Sequence, residues 1–285
     1  MIKKTQNNDA WLLEVARTIK NFCRDYKVVY AVKKRERAAS FEIGCLHMLL
    51  TNYEEVGSLK AENLNDEGEF RYLTTPSGNP ENFSWIRLTI NGEDYQIRQQ
   101  VRIKSHWHDD IAFCPDIVVL KPNADIDAVV DEDFANGKRK FFSVRSDQVV
   151  SAHECKSLSP FPELLVSFIG MFQAAHRWFA PAMSRRYIAP RGIHPAPCLF
   201  IGGDSRSLQR RMIDALEETF PINIVSGLHF SRFKMSRHSG QAKYLDDAII
   251  NPPTINPMPN PRRLRRRITL QRPTPTVDSE PQPNC

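Results

Sequence analysis

The sequence predicts an α/β fold with a mixed sheet, on three observations. Asn91-Gly92 separates two alternating runs in "SWIRLTINGEDYQIRQQVRIKS", the pattern of a β-hairpin. "PFPELLVSFIGMFQAAHRWFA" is long, apolar on several faces and opened by prolines, as a buried helix is. "APCLFIGG", "DSRSLQRRMIDALEETF" and "INIVSGL" then give strand, helix and strand at the spacing of a parallel crossover.

Taken in order, "NDAWLLEVARTIKNFCRDY" places Trp11, Leu12, Val15, Ile19 and Phe22 at helical spacing behind Asp9, which defines an N-terminal helical segment over residues 1–32. The main domain is expected over residues 33–250. It opens with a helix from near Arg37 to Tyr53, whose apolar stripe is Ala39, Ile43, Leu46, Leu50 and Tyr53. Residues 54–84 are rich in Asn, Glu, Gly and Pro and read as a loop-heavy connection. The hairpin follows, then "CPDIVVL" as a short buried strand, a polar excursion over 121–140, and "FFSVRSDQVVSAHECKS" as strand material. "APCLFIGG" is continuously apolar, as a strand covered on both faces should be, and the helix after it takes Asp204 or Ser205 as its cap. From about residue 251, nine of the 20 prolines crowd together. No core can be built from such a segment, so 251–285 is expected to be a disordered tail rich in Pro and Arg.

Composition narrows the function. With 41% hydrophobic and 25% charged residues among 285, the chain is ordinary globular material long enough for a sizeable core. No apolar run reaches membrane-spanning length, and the basic N-terminus lacks a signal peptide's apolar stretch, so the expectation is a cytoplasmic protein without a membrane. The six cysteines show no CxxC pair, which argues against a zinc ribbon and a disulfide framework. Six arginines against Asp278 and Glu280 place +4 of the net +6 in the tail, leaving the body nearly neutral.

The chemistry gathers in "SAHECKS". If residues 151–157 are a strand, Glu154 and Lys156 stand on one face about 7 Å apart at the backbone. Cys155 then alternates away from them. Asp116 opens the apolar "PDIVVL", where burial penalises an acid unless it is paired or bound to metal. Glu42 sits beside Cys45, Leu46 and Leu49 on the apolar side of its helix, which is out of place for a solvent-seeking group. Two carboxylates and an amine are what phosphodiester hydrolysis needs. The acids suit a hard cation such as Mg²⁺, and the amine can orient or deprotonate water or neutralise developing charge.

These residues, PD at 115–116 and ExK at 154–156, resemble the PD-(D/E)xK, or restriction-endonuclease-like, nuclease superfamily. The family core is a helix, an antiparallel run of strands, a helix and a final strand, and residues 37 to about 203 follow that order. The resemblance implies a three-layer α/β/α sandwich with a mixed central sheet. It implies an endonuclease that uses Mg²⁺ or Mn²⁺, with Asp116 and Glu154 as ligands, Lys156 as catalytic amine and Glu42 as an auxiliary catalytic residue and ligand. DNA is the expected substrate, with RNA second, and a homodimer fits enzymes of this kind that cut both strands. The alternative is a catalytically idle nucleic-acid-binding or scaffold protein of the same fold.

Other candidates weigh less. His106, His108 and Asp110 in "HWHDD" lack the further His of a binuclear metallohydrolase and read as a polar loop. "IGGDS" lacks phosphate-loop spacing and reads as a tight strand-to-helix turn. Arg185, Arg186 and Arg191, with Arg232, Lys234 and Arg237, place cations beside stackable rings and are candidate nucleic-acid contacts.

Overall fold

The computed structural model describes residues 27–28, 37–74, 82–106, 108, 110–128, 136–137, 141–176, 188–189, 192–229, 236–237 and 240–246. The chain divides after Asn251, and the described residues all belong to the first unit. The expected N-terminal helix and Pro/Arg-rich tail lie outside them.

The protein is mixed α/β, with a seven-stranded central sheet and three α-helices among the described residues. We number the sheet strands β1 (Ser58–Glu62), β2 (Trp85–Ile90), β3 (Glu93–Gln99), β4 (Ile117–Leu120), β5 (Val149–Lys156), β6 (Cys198–Ile201) and β7 (Asn223–Val225). The helices are α1 (Arg37–Glu54), α2 (Pro162–Ala175) and α3 (Ser207–Thr219). Strand order across the sheet follows the chain. Neighbours from β1 to β5 are antiparallel, and β5, β6 and β7 run parallel, linked through α2 and α3.

The β2–β3 turn has Asn91 at φ 52° and Gly92 at φ 85°. Two successive left-handed residues match the twist of the flanking strands, which is why Asn-Gly works there. All four residues of β4 are fully buried. Ile117 and Val119 join the cluster under α1, while Val118 and Leu120 join one on the opposite face. The same division holds in β6, where Cys198 and Phe200 face α1 and Leu199 and Ile201 face α2 and α3. Helices thus cover both faces of the sheet, as the apolar runs of β4 and β6 require.

Four expectations need correction. The 54–84 connection contains β1, which pairs with β2 over five residues. Only Ala61 of its five side chains is buried, so no alternation marks this edge strand. "FFSVRSDQVVSAHECKS" is not one strand. A 3₁₀ turn at Ser146–Gln148 separates β5 from Phe142–Arg145, which pairs with Arg102–Lys104 in a second, four-stranded sheet. Helix α2 is not buried all round, since Val166 is 61% exposed. The N-cap of α3 is Arg206, without a side-chain bond, instead of Asp204 or Ser205. Asp204 Oδ1 accepts from the backbone N–H of Ser205 instead.

No described helix is long and apolar enough to cross a membrane. The described cysteines 45, 114, 155 and 198 are free thiols.

Candidate active site

A β-bulge decides where the acids point. Leu120 pairs with Val149 and Val119 with Ser151, so Val150 is an extra residue in β5. Beyond the bulge, Ala152 pairs with Val118 and His153 with Ile117, which brings Glu154 level with Asp116. Residues opposite one another across a ladder share a face. Asp116, Glu154 and Lys156 therefore gather at one end of the sheet, where β4 begins and β5 finishes, within electrostatic reach of Glu42 on α1. Cys155 packs the other way, into the cluster under α1.

The three groups are bonded to one another. Lys156 Nζ forms an ion pair with Glu154 Oε1 and lies 3.5 Å from Asp116 Oδ2. Asp116 is buried, and its Oδ2 accepts the Cys155 backbone N–H at 2.7 Å. The Asp116 backbone N–H lies near the Glu154 carboxylate and favours its ionised form. Gln100 Nε2 donates to Asp116 Oδ1 at 3.0 Å, and the same side chain lies close enough to Glu42 to pull its pKa down against burial. One oxygen of each glutamate, Glu42 Oε2 and Glu154 Oε2, is buried with no hydrogen-bond partner.

Charge at this cluster does not balance. Three ionised carboxylates against one ammonium leave two negative charges in a desolvated site. Burial first, then Asp116, pushes Glu154 up to about 7, against the pull of Lys156. Burial, then Asp116, raises Glu42 to about 8, with Lys156 opposing. Burial works against the Lys156 ammonium, yet Asp116 and Glu154 outweigh it and hold its pKa above the ordinary lysine value. The missing positive charge is supplied either by protons near neutral pH or by a divalent cation.

The residues fit Mg²⁺ or Mn²⁺. Among the described residues no three His, Cys, Asp or Glu side chains form a ready-made metal cluster. Mg²⁺ does not demand one, because it binds through one or two carboxylates and completes its shell with water and phosphate. Asp116 and Glu154 can supply those oxygens, and Glu42 Oε2 is buried nearby with no hydrogen-bond partner.

The other candidates separate cleanly. His106 is a loop residue whose Nδ1 lies 3.0 Å from the Ala174 carbonyl, at the end of α2. His153 is fully buried, its Nδ1 accepting from the Cys198 backbone N–H at 3.2 Å. "IGGDS" is a packed turn: a Cβ at Gly203 would meet Ser159 Cα at 2.6 Å. Arg185, Arg186, Arg191, Arg232 and Lys234 lie outside the described residues. Arg237 falls in a two-residue strand, Ser236–Arg237, of which only the backbone is described. Sequence reading missed Gln100, which bonds to Asp116 beside Glu42. Its only signal was a second Gln after the hairpin, where the alternation of β3 should end. Comparison of the chain with known protein families, curated proteins and solved structures finds no match.

Proposed function

We propose that the chain is a metal-dependent endonuclease of the restriction-endonuclease-like kind, hydrolysing phosphodiester bonds of DNA with an activated water. The reading is carried by buried Asp116 and half-buried Glu154, brought together by adjacent antiparallel strands and sharing Lys156, with two glutamate oxygens left unpartnered. Glu42 from the preceding helix completes the acidic set. The order of helix, antiparallel strands, helix and strand agrees with it.

Hydrolysis adds the water oxygen to phosphorus and breaks one P–O bond, leaving a phosphate monoester and a free hydroxyl. Asp116 and Glu154 would hold Mg²⁺ or Mn²⁺, with Glu42 as auxiliary ligand. When bound, the cation supplies charge at the phosphate oxygens and lowers the pKa of water. Lys156 keeps its proton between its two acidic neighbours, so its part is to donate toward phosphate oxygens where charge builds. Gln100 fixes the rotamer of Asp116. Asp116 Oδ2 is anchored to the backbone of Cys155, which ties the site to the sheet.

One observation favours the idle nucleic-acid-binding scaffold instead. Lys156 already contacts both carboxylates, and a lysine in that place can neutralise a relic site. Purified protein and Lys156→Ala should be incubated with supercoiled plasmid, linear duplex and single-stranded DNA, and with RNA, in Mg²⁺, Mn²⁺ or EDTA. We expect metal-dependent cutting that Lys156→Ala lowers by about 10²-fold or more. Wild-type protein that binds DNA but cuts nothing in either metal makes the scaffold reading correct.

A further inference from the structure

Two arginines beside the acidic site have rings for neighbours and no acid. Arg98 has its guanidinium 4.5 Å from the Trp85 ring centroid and 5.5 Å from that of Phe142. Its Nε donates to Gln96 Oε1 at 2.8 Å. Arg102 has its guanidinium 3.4 Å from the Phe141 ring centroid. Neither is in an ion pair among the described residues, whereas Arg87 pairs with Glu62 and Asp94, and Arg145 with Asp147. Burial lowers Arg98 to about 10, with no carboxylate nearby to oppose it. A half-buried guanidinium stays charged, so this is a cation held in place without a counter-charge.

Register places both arginines against the acids. Arg98 pairs with Val118, so it lies one strand across from Asp116 and two residues along, an offset of about 7 Å in the strand direction. That is roughly two stacked nucleotides at 3.4 Å each. Arg102 lies one step beyond the Ile103–Phe113 pair, level with Cys114. The Cys114 thiol donates to Gln100 Oε1, and Arg102 is the charge that lowers its pKa against burial. Gln100, which positions Asp116, thus lies between the two arginines in sequence and beside Arg102 in space. Ring stacking and the Gln96 bond fix the guanidinium planes, which lowers the entropy lost on gripping a phosphate.

We propose that Arg98 and Arg102 form an aromatic-braced clamp that binds backbone phosphates of DNA on either side of the acidic site. The clamp rests on the nucleic-acid reading above and adds the contacts that seat the strand. Guanidinium edges suit it because they grip phosphate oxygens in a planar fork, which a lysine cannot do. Phosphate contacts position the strand and carry no base preference.

The test is fluorescence anisotropy with labelled single-stranded and duplex DNA of about 20 nucleotides, in EDTA to prevent cutting, over a salt series. The Arg98→Gln/Arg102→Gln double variant should bind at least about tenfold more weakly. Its log–log salt slope on duplex should shrink by about two, one for each lost phosphate contact. Arg98→Lys should keep the slope and still lose affinity, because the charge remains and the stacked fork does not. If the double variant fails to melt like wild type, Arg98→Lys and Arg102→Gln are read singly. Unchanged affinity and slope in a folded variant overturn the clamp, including when wild type cuts DNA. Arginine-dependent binding by a wild type that never cuts supports the clamp and overturns the catalytic reading alone.

Discussion

Gln100 is the residue on which the acidic set depends most after its own members. It sits at φ 54°, a left-handed conformation that costs a residue with a side chain free energy. What that turn secures is a side chain bonded to Asp116 and near Glu42, and a backbone N–H bonded to the Asp116 carbonyl at 3.2 Å. Gln100→Ala should fold, since one buried hydrogen bond is worth only about 1 kcal/mol net. It should raise the Mg²⁺ concentration for half-maximal thermal stabilisation by about tenfold, the scale for losing a group that orients a ligand. A shift equal to wild type would leave Gln100 a purely structural turn. The acids themselves were legible in the sequence because each interrupts an apolar run: Glu42 between Phe41 and Ile43, Asp116 before "IVVL". Gln100 was not, since a neutral polar residue at a strand end is ordinary. Arg98 and Arg102 were hidden for the same reason, as outward residues of an alternating hairpin.

Among the elements, the long apolar ones were readable and the short polar ones were not. Helix α1 was expected to Tyr53 and ends at Glu54, and the Asn-Gly turn fell where alternation placed it. β1 escaped because pairing along an edge, instead of burial, makes it a strand. The bulge at Val150 is invisible in sequence, yet it sets the face of Glu154 and Lys156. A one-residue slip turns every later side chain over. The turn from β6 to α3 depends on close packing of a different kind. Gly203 has an ordinary φ, so its lack of a side chain matters only for space. A methyl there would lie 2.6 Å from Ser159 Cα and 2.8 Å from Ser159 N, both backbone atoms that cannot swing aside. Gly203→Ala should destabilise the protein by about 1–3 kcal/mol through overpacking, measured by urea unfolding. Stability within about 0.5 kcal/mol of wild type, the range of a neutral surface change, would mean the segment from Lys156 to α2 shifts freely.

For the whole molecule, pH is the variable on which the buried groups act together. His47 and His153 are lowered to about 3, and His176 and His194 to about 4, by burial in each case first. For His153 the neighbouring His176 and His194 add to it. Unfolding returns all four to about 6.5. Below that pH the unfolded chain binds protons that the folded one refuses, so stability falls as pH drops. Glu42 and Glu154 act in the opposite sense. Raised to about 8 and about 7, they hold protons in the folded state that the unfolded chain releases above about 4.5. Between about pH 5 and 6 four imidazoles oppose two carboxyls, and the net uptake on unfolding is roughly two protons. Each proton contributes about 1.4 kcal/mol per pH unit. Metal-free protein should therefore be most stable near pH 6–7. It should weaken gently toward pH 8 as the two glutamates ionise against Asp116, and steeply toward pH 5 as the histidines decide. Urea unfolding in EDTA at pH 8, 7, 6 and 5 measures both limbs. A stability flat from pH 7 to 5 would show that the four imidazoles are not held neutral in the fold. A rise toward pH 8 would show that Glu42 and Glu154 ionise without penalty, which removes the charge imbalance that calls for a cation.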